Sequence, residues 1–270
     1  MVTYPIATVE QTTNDVIVFD QDLDWRTAAS VKWRWSAAGG AGTAWHNLSD
    51  VRLRNTQAYG TVVLVCASGG RAAMLRLSTG RTVWQTLPGE NPHAIERIPG
   101  GVLVVASSQP GRLRFYTDST HIQPFLTMGL PGAHGALYDP VRTCLWVIGD
   151  EQLIRYTVTG SGAGTTLTVH SRARFAGLGH DVQPVFGDHG ALWFTDSFGV
   201  YRLDIDTMEY EQADAGNGVK SYVSQPTGIR VLARADNAGP RAWGGPTIEF
   251  FDSSGRPAFT RTRPGAEFYT

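Results

Sequence analysis

The sequence predicts an all-β fold, a six-bladed β-propeller. Short runs of β-branched and aromatic residues recur along the whole chain, separated by clusters of Gly, Pro, Asn and Asp, which is typical of strands joined by turns. Helical periodicity is nearly absent. The chain has 31 glycines and 14 prolines in 270 residues, which favours many short elements. The two ends of the sequence also complement each other, because the strands of one end lack the strand that the other end supplies.

A unit of about four strands repeats along the chain. Each unit begins with a strand and a Gly-rich turn, continues with an apolar strand and a strand rich in aromatic residues, and finishes with an outer strand. The blade-opening positions are separated by 43, 41, 46, 40 and 47 residues, close to the ~40–45 residues of a propeller blade. These positions are Asp50, His93, His134, His180, Lys220 and Glu267.

The two termini supply the sixth blade. Residues 6–36 contain three strands without a preceding first strand, and the C-terminal GAEFYT reads as a first strand without followers. Joining them closes the ring and removes open sheet edges. The sequence therefore predicts a single propeller domain over residues 1–270. Five or seven blades are the alternatives if the weak repeat that begins at Lys220 is misread.

Polar residues open every predicted blade. Because the innermost strands of a propeller run in one direction, their first residues gather at one mouth of the central channel, and histidines open three consecutive blades. Imidazoles with a carboxylate suit a divalent transition metal (Mn, Zn, Fe, Ni or Cu) and leave a position open for water or substrate. The predicted metal ligands are His93, His134 and His180, with support from Asp50 and His46.

Further polar residues near this mouth are candidates for proton transfer and substrate contact. A lysine beside a cation loses stability in its charged form and becomes a base, and carboxylates handle protons in hydrolysis. The predicted catalytic residues are Lys220, Asp181 and Glu267. The predicted substrate-binding residues, which follow the second strands or flank the mouth, are Trp45, Ser68, Gln109 and Arg234.

Two simpler interpretations of the histidines remain open. A histidine at the start of an inner strand can hydrogen-bond the neighbouring blade, or it can act in acid–base chemistry without a metal.

Composition excludes several classes. A net charge of −1 and a pI near 6.7 give no attraction to nucleic acid or an anionic membrane. No apolar stretch is long enough to span a bilayer, and no signal peptide is visible, so we expect a soluble monomer, secreted or periplasmic if a leader has been removed. Cys66 and Cys144 lie in apolar runs and are expected to be buried free thiols.

The motifs HNLSDV, NPHAIE, GAHGALYDP and GHDVQPV, which open successive blades, resemble an uncharacterised bacterial β-propeller family. More distantly, the arrangement is similar in architecture to metal-dependent propeller lyases such as oligogalacturonate lyase, whose histidines hold a divalent metal at the channel mouth. That resemblance implies a metal-dependent enzyme acting on a saccharide, either a lyase with Lys220 as the base or a glycoside hydrolase. The alternative is a non-catalytic propeller that binds a glycan or a protein on the same face.

Overall fold

The computed structural model describes residues 4–37, 43–119 and 123–270, and confirms an all-β fold of six blades arranged as a β-propeller. Within these ranges the helical elements are two short 3-10 turns, Ala28–Ser30 and Gly162–Gly164. No helix in the described part of the chain is long and apolar enough to cross a membrane.

The strands fall into antiparallel sheets, which we number as blades 1 to 5 in chain order from β4, with the N-terminal sheet as blade 6. Blade 6 contains β1 (Ile6–Glu10), β2 (Asp15–Phe19) and β3 (Val31–Ser36). Blade 1 contains β4 (Leu48–Thr56), β5 (Gly60–Ala67), β6 (Arg71–Arg76) and β7 (Thr82–Thr86). Blade 2 contains β8 (Pro92–Ile98), β9 (Val102–Ser107), β10 (Arg112–Thr117) and β11 (Leu126–Gly129).

The remaining blades follow the same order. Blade 3 contains β12 (Gly135–Asp139), β13 (Cys144–Thr159) and β14 (Thr166–Leu178). Blade 4 contains β15 (Val182–Pro184), β16 (Ala191–Asp196), β17 (Gly199–Asp204) and β18 (Tyr210–Asp214). Blade 5 contains β19 (Val219–Ser224), β20 (Arg230–Arg234), β21 (Thr247–Phe251) and β22 (Pro257–Thr262).

The chain forms two compact units of three blades each. One unit is Ala38–Gly179, with blades 1 to 3, and the other combines Met1–Ala37 with His180–Thr270, with blades 4 to 6. The single domain expected over residues 1–270 stays a prediction.

In the Ala38–Gly179 unit, apolar second strands form the core. Strand β9 is buried throughout, and Leu64 and Trp84 pack with Val105 and Tyr116 in one cluster. Cys66 lies in this cluster, and both cysteines are buried and free, as predicted. Burying such apolar surface is the main source of stability for the unit.

Blade 3 has one long strand where the sequence predicts two. Strand β13 runs through Asp150 and Glu151, but the N–H of Val158 donates to the carbonyl of Thr143 at an N···O distance of 3.2 Å. The strand therefore turns back on itself near Glu151, whose φ is 54°. It supplies the second and third strands of the blade in one continuous run.

In the other unit, the C-terminal segment (residues 267–270) joins β1. Phe268 pairs with Glu10 in an antiparallel bridge, and the N–H groups of Val9 and Gln11 donate to the carbonyls of Thr270 and Glu267. Phe268 also packs edge-on against Trp25, with ring centroids 5.8 Å apart. The predicted pairing of the C-terminal strand with the N-terminal strands is confirmed.

A β-bulge lies near the start of three first strands. The pairing register shifts between Leu48 and Asp50 in β4, and the residue out of register is Ser49. The same shift occurs at His93 in β8 and at Lys220 in β19. Ser49, one residue before Asp50, is therefore the equivalent of His93 and Lys220. Because a shift of one residue reverses the face to which a side chain points, Asp50 lies on the opposite face.

Candidate functional site

Lys220 lies at the centre of a polar cluster in the unit that contains blades 4 to 6. Its Nζ is 3.4 Å from Nε2 of His180 and 5.4 Å from the centroid of the Tyr269 ring. The Tyr269 hydroxyl lies 3.0 Å from the same Nε2. We call these three side chains the Lys–His–Tyr cluster. Sequence reasoning named the lysine and the histidine but missed Tyr269.

The local fold explains how three distant residues meet. Lys220 is held by the bulge in β19, and His180 precedes β15, where its N–H donates to the carbonyl of Thr195. Tyr269 belongs to the C-terminal segment, where its N–H donates to the carbonyl of Val9. Each position is thus fixed by backbone pairing as well as by the side-chain contacts, so the cluster is preorganised.

Burial changes the proton affinity of this lysine. Desolvation lowers the pKa of Lys220 from 10.5 to about 8. Burial removes water that stabilises the charged ammonium more than the neutral amine. No carboxylate forms an ion pair with Lys220 among the described residues. The neutral amine is therefore well populated near pH 8 and is able to accept a proton.

The position of Lys220 also affects how His180 is used. The Nε2 atom of His180 faces a hydroxyl and an ammonium, both of which are hydrogen-bond donors. The lone pair that would bind a metal is thereby engaged, and a cation would be repelled by the adjacent ammonium. This arrangement suits proton transfer better than metal ligation.

The chain contains only two lysines, Lys32 and Lys220, against 21 arginines. Lys32 forms an ion pair with Asp20 at 2.8 Å on the protein surface. Burial readily lowers the pKa of a lysine and so removes its charge, whereas an arginine stays charged when it is buried. The residue type at position 220 is therefore the one that acid–base chemistry requires.

Glu267 lies beneath the loop that joins β20 to β21. Only 2% of the residue is exposed, its Oε2 has no hydrogen-bond partner among the described residues, and a Cβ at Gly239 would overlap its Oε1. Burial raises the pKa of Glu267, and the negative charge of Asp236 adds to this effect. The carboxyl group is thus covered and disposed to hold a proton.

In the Ala38–Gly179 unit, two of the predicted metal ligands lie together. The rings of His93 and His134 have centroids 4.0 Å apart and planes tilted by 38°. Nδ1 of His93 lies 3.0 Å from the carbonyl of Asn91, which only accepts, so Nδ1 carries the proton in this bond. Metal-binding histidines are commonly anchored in this way, so His93 taken alone fits a ligand role.

The other predicted ligands in this unit are engaged elsewhere. Asp50 is buried, and its carboxylate accepts bonds from Arg52 Nε at 3.2 Å and from the N–H of Ile95 at 3.0 Å. His46 places Nδ1 2.7 Å from the carbonyl of Thr43. No group of three or more His, Cys, Asp or Glu side chains within residues 4–37, 43–119 and 123–270 is arranged to hold a metal. The metal centre stays a prediction.

The predicted substrate-binding residues occupy different settings. Trp45 is only 8% exposed, with the guanidinium of Arg71 5.7 Å from its ring centroid, so little of the ring is open to a sugar. Gln109 is exposed, and the N–H of Ser68 donates to the carbonyl of Asn47.

Two further predicted residues are held by neighbouring polar groups. Arg234 forms ion pairs with Asp214 at 3.1 Å and Glu249 at 3.3 Å. Asp181 is buried and accepts bonds from the N–H of Val182 and from Nε2 of Gln183. Both side chains therefore hold neighbouring polar groups in place at the ends of strands.

The fold and cluster define a β-propeller with a preorganised, desolvated lysine. A family profile matches residues 7–243, and the chain belongs to that family, which is described as a family of unknown function (DUF6528). The predicted resemblance to an uncharacterised family is confirmed at that level. A search among curated proteins found no match.

Solved structures agree on the fold. A protein of unknown function from Bacteroides caccae is 12% identical, with a TM-score of 0.63, over 98% of this chain and 97% of that chain. Dihydro-heme d1 dehydrogenase NirN, solved in complex with DHE, is 13% identical, with a TM-score of 0.59, over 98% of this chain. This chain spans 55% of the NirN chain. At these identities the likeness concerns the fold alone.

Proposed function

We propose that this propeller is a saccharide lyase that cleaves uronate-containing chains by proton transfer within the Lys–His–Tyr cluster. One observation carries the proposal: the desolvated Nζ of Lys220 and the hydroxyl of Tyr269 share Nε2 of His180, at 3.4 and 3.0 Å. A base and an acid thus contact one imidazole nitrogen, which is able to pass a proton between them.

The reaction needs a base near neutral pH and an acid for the leaving group. The proton on the carbon next to a uronate carboxylate is the most acidic carbon-bound proton of the sugar. The neutral amine of Lys220 removes it as that C–H bond breaks, and the electron pair forms the new C=C bond. The neighbouring C–O bond breaks, and Tyr269 gives its proton to the departing oxygen.

The cluster then restores itself without any external reagent. The Lys220 ammonium donates to Nε2 of His180, and the imidazole passes a proton to the tyrosinate of Tyr269. One proton leaves carbon and one reaches oxygen, so the cycle balances. The lowered pKa of Lys220 matches the base to a working pH near 8.

The experiment is a panel of polymers, namely polygalacturonate, alginate and a neutral β-glucan, incubated with the protein in the presence of EDTA. We expect an ultraviolet-absorbing unsaturated product from at least one uronate polymer and none from the glucan. Lys220→Met should abolish formation of the unsaturated product. Lys32→Met, which replaces the only other lysine of the sequence, should not. Equal product formation by Lys220→Met would overturn the proposal. Binding to a uronate polymer without any product would favour the alternative function, a non-catalytic glycan-binding propeller.

A further inference from the structure

Trp243 differs from the other tryptophans of the described chain in its exposure. It is 44% exposed, whereas Trp25, Trp146 and Trp193 are at most 3% exposed. A single exposed apolar residue is ordinary on a protein surface and needs no explanation by itself. Trp243 is unusual in how its ring is held and in the segment that holds it.

The indole nitrogen of Trp243 is already satisfied inside the protein. Nε1 donates to Oε1 of Gln11 at 2.9 Å, and Gln11 is buried. The N–H of Gln11 donates to the carbonyl of Glu267. The hydrogen-bonding edge of the ring is therefore fixed inward, so the surface that remains exposed is apolar and already oriented.

The loop that carries Trp243 is attached to the segment that carries Tyr269. Gly245 and Phe268 exchange two backbone hydrogen bonds, at 3.2 and 2.8 Å. Trp243 is two residues from this bridge, and Tyr269 is one residue from it. The same loop is tied at its start, because the N–H of Asp236 donates to the carbonyl of Gly244.

From these contacts we infer that Trp243 is a stacking platform for a pyranose ring of the saccharide next to the one that reacts. The apolar C–H face of a sugar ring packs on an exposed indole face, while its hydroxyls stay in water. The choice of a uronate saccharide as the ligand rests on the proposed function. The platform makes the ligand an oligosaccharide of at least two rings rather than a monosaccharide.

Affinity electrophoresis tests the inference without relying on turnover. The native protein is run through gels containing polygalacturonate, alginate or hydroxyethyl cellulose. We expect retardation in one of the uronate gels, and about tenfold weaker retention for Trp243→Ala, as loss of one stacking contact implies. Trp243→Phe should keep most of the retention, because a ring remains. Trp33→Phe, on β3 of the same unit, is the control for a half-buried tryptophan.

The outcomes separate the inference from the proposed function. Unchanged retention of Trp243→Ala, or no retention of the native protein in either uronate gel, would overturn the platform. If Lys220→Met loses product formation while Trp243→Ala keeps its retention, the lyase stands and the platform falls. If Trp243→Ala loses retention but no polymer yields product, the platform stands and the lyase falls. The melting temperature of each variant is measured to check that the fold is intact.

Discussion

The hydroxyl of Tyr269 and Nε2 of His180 lie 3.0 Å apart, although the two residues are separated by 89 positions in the sequence. Lys220 reaches the same nitrogen from β19. Both groups contact the same imidazole nitrogen, so a change in any one of these three groups should be felt by the other two.

Replacing Lys220 by methionine should stabilise the protein at neutral pH. The folded chain lowers the pKa of Lys220 to about 8 from 10.5, so the unfolded chain binds this proton more tightly. Near pH 7 the charged amine is buried at a cost of up to about 3 kcal/mol, which Lys220→Met removes. The stability of the native protein should rise as pH increases from about 8 towards 10.5.

Urea denaturation at pH 7 and pH 10 measures this effect. The gap between Lys220→Met and the native protein should be large at pH 7 and small at pH 10. Lys32→Met, which removes a surface ion pair, is the matched control and should change stability by about 1 kcal/mol or less. A gap that stays constant with pH would show that Lys220 is not desolvated.

Removing the Tyr269 hydroxyl should shift the titration of Lys220. With Tyr269→Phe, Nε2 of His180 turns wholly to Lys220 and favours its charged form, so the pKa of Lys220 should rise by about half a unit to one unit. Selective ¹³C-lysine labelling gives two side-chain signals, one from each lysine, and the Lys32→Arg variant assigns them. Tyr222→Phe, on the same strand as Lys220, is the control and should leave the midpoint in place. An unchanged midpoint in Tyr269→Phe would mean that the hydroxyl and the amine are not coupled.

Six blades and the pairing of the two termini could be predicted because they depend on strand patterns that repeat in the sequence. Lys220 could be predicted for its position, although we expected a metal beside it. Tyr269 could not, because its role depends on where the C-terminal segment pairs. The sequence places Asp50 at the blade-opening position that Ser49 occupies, because a β-bulge leaves no periodic signal in the sequence. The exposure of a tryptophan likewise depends on the loops around it, so the sequence gives no signal that Trp45 is buried and Trp243 exposed.

Asp50 should contribute to stability rather than to chemistry. Its carboxylate holds Arg52 and the backbone of β8, and both charged side chains are buried. Asp50→Asn leaves the guanidinium without its counter-charge, which should lower the free energy of unfolding by about 3 kcal/mol. Urea denaturation measures the change, with Asp206→Asn as an exposed control. A loss below about 1 kcal/mol would indicate that Asp50 is not committed to this pair.

Removing divalent metal should leave the protein unchanged. The proton transfer proposed for the Lys–His–Tyr cluster uses no metal, and Nε2 of His180 faces two hydrogen-bond donors. EDTA treatment should therefore leave the melting temperature and any turnover as they were. Metal analysis should be done on protein purified without a nickel column. Stoichiometric metal that is lost in His93→Ala would instead support the metal centre predicted from the sequence.

The pH dependence of kcat/KM for the uronate polymer that yields product tests the account most directly. If neutral Lys220 is the base, kcat/KM should rise with pH and level off above a midpoint near 8, the pKa of this lysine. Lys220→Met should show no such rise of kcat/KM with pH. Both proteins are assayed in the presence of EDTA. A profile that is flat or falls between pH 7 and pH 9, or a Lys220→Met variant with the same profile as the native protein, would contradict the account.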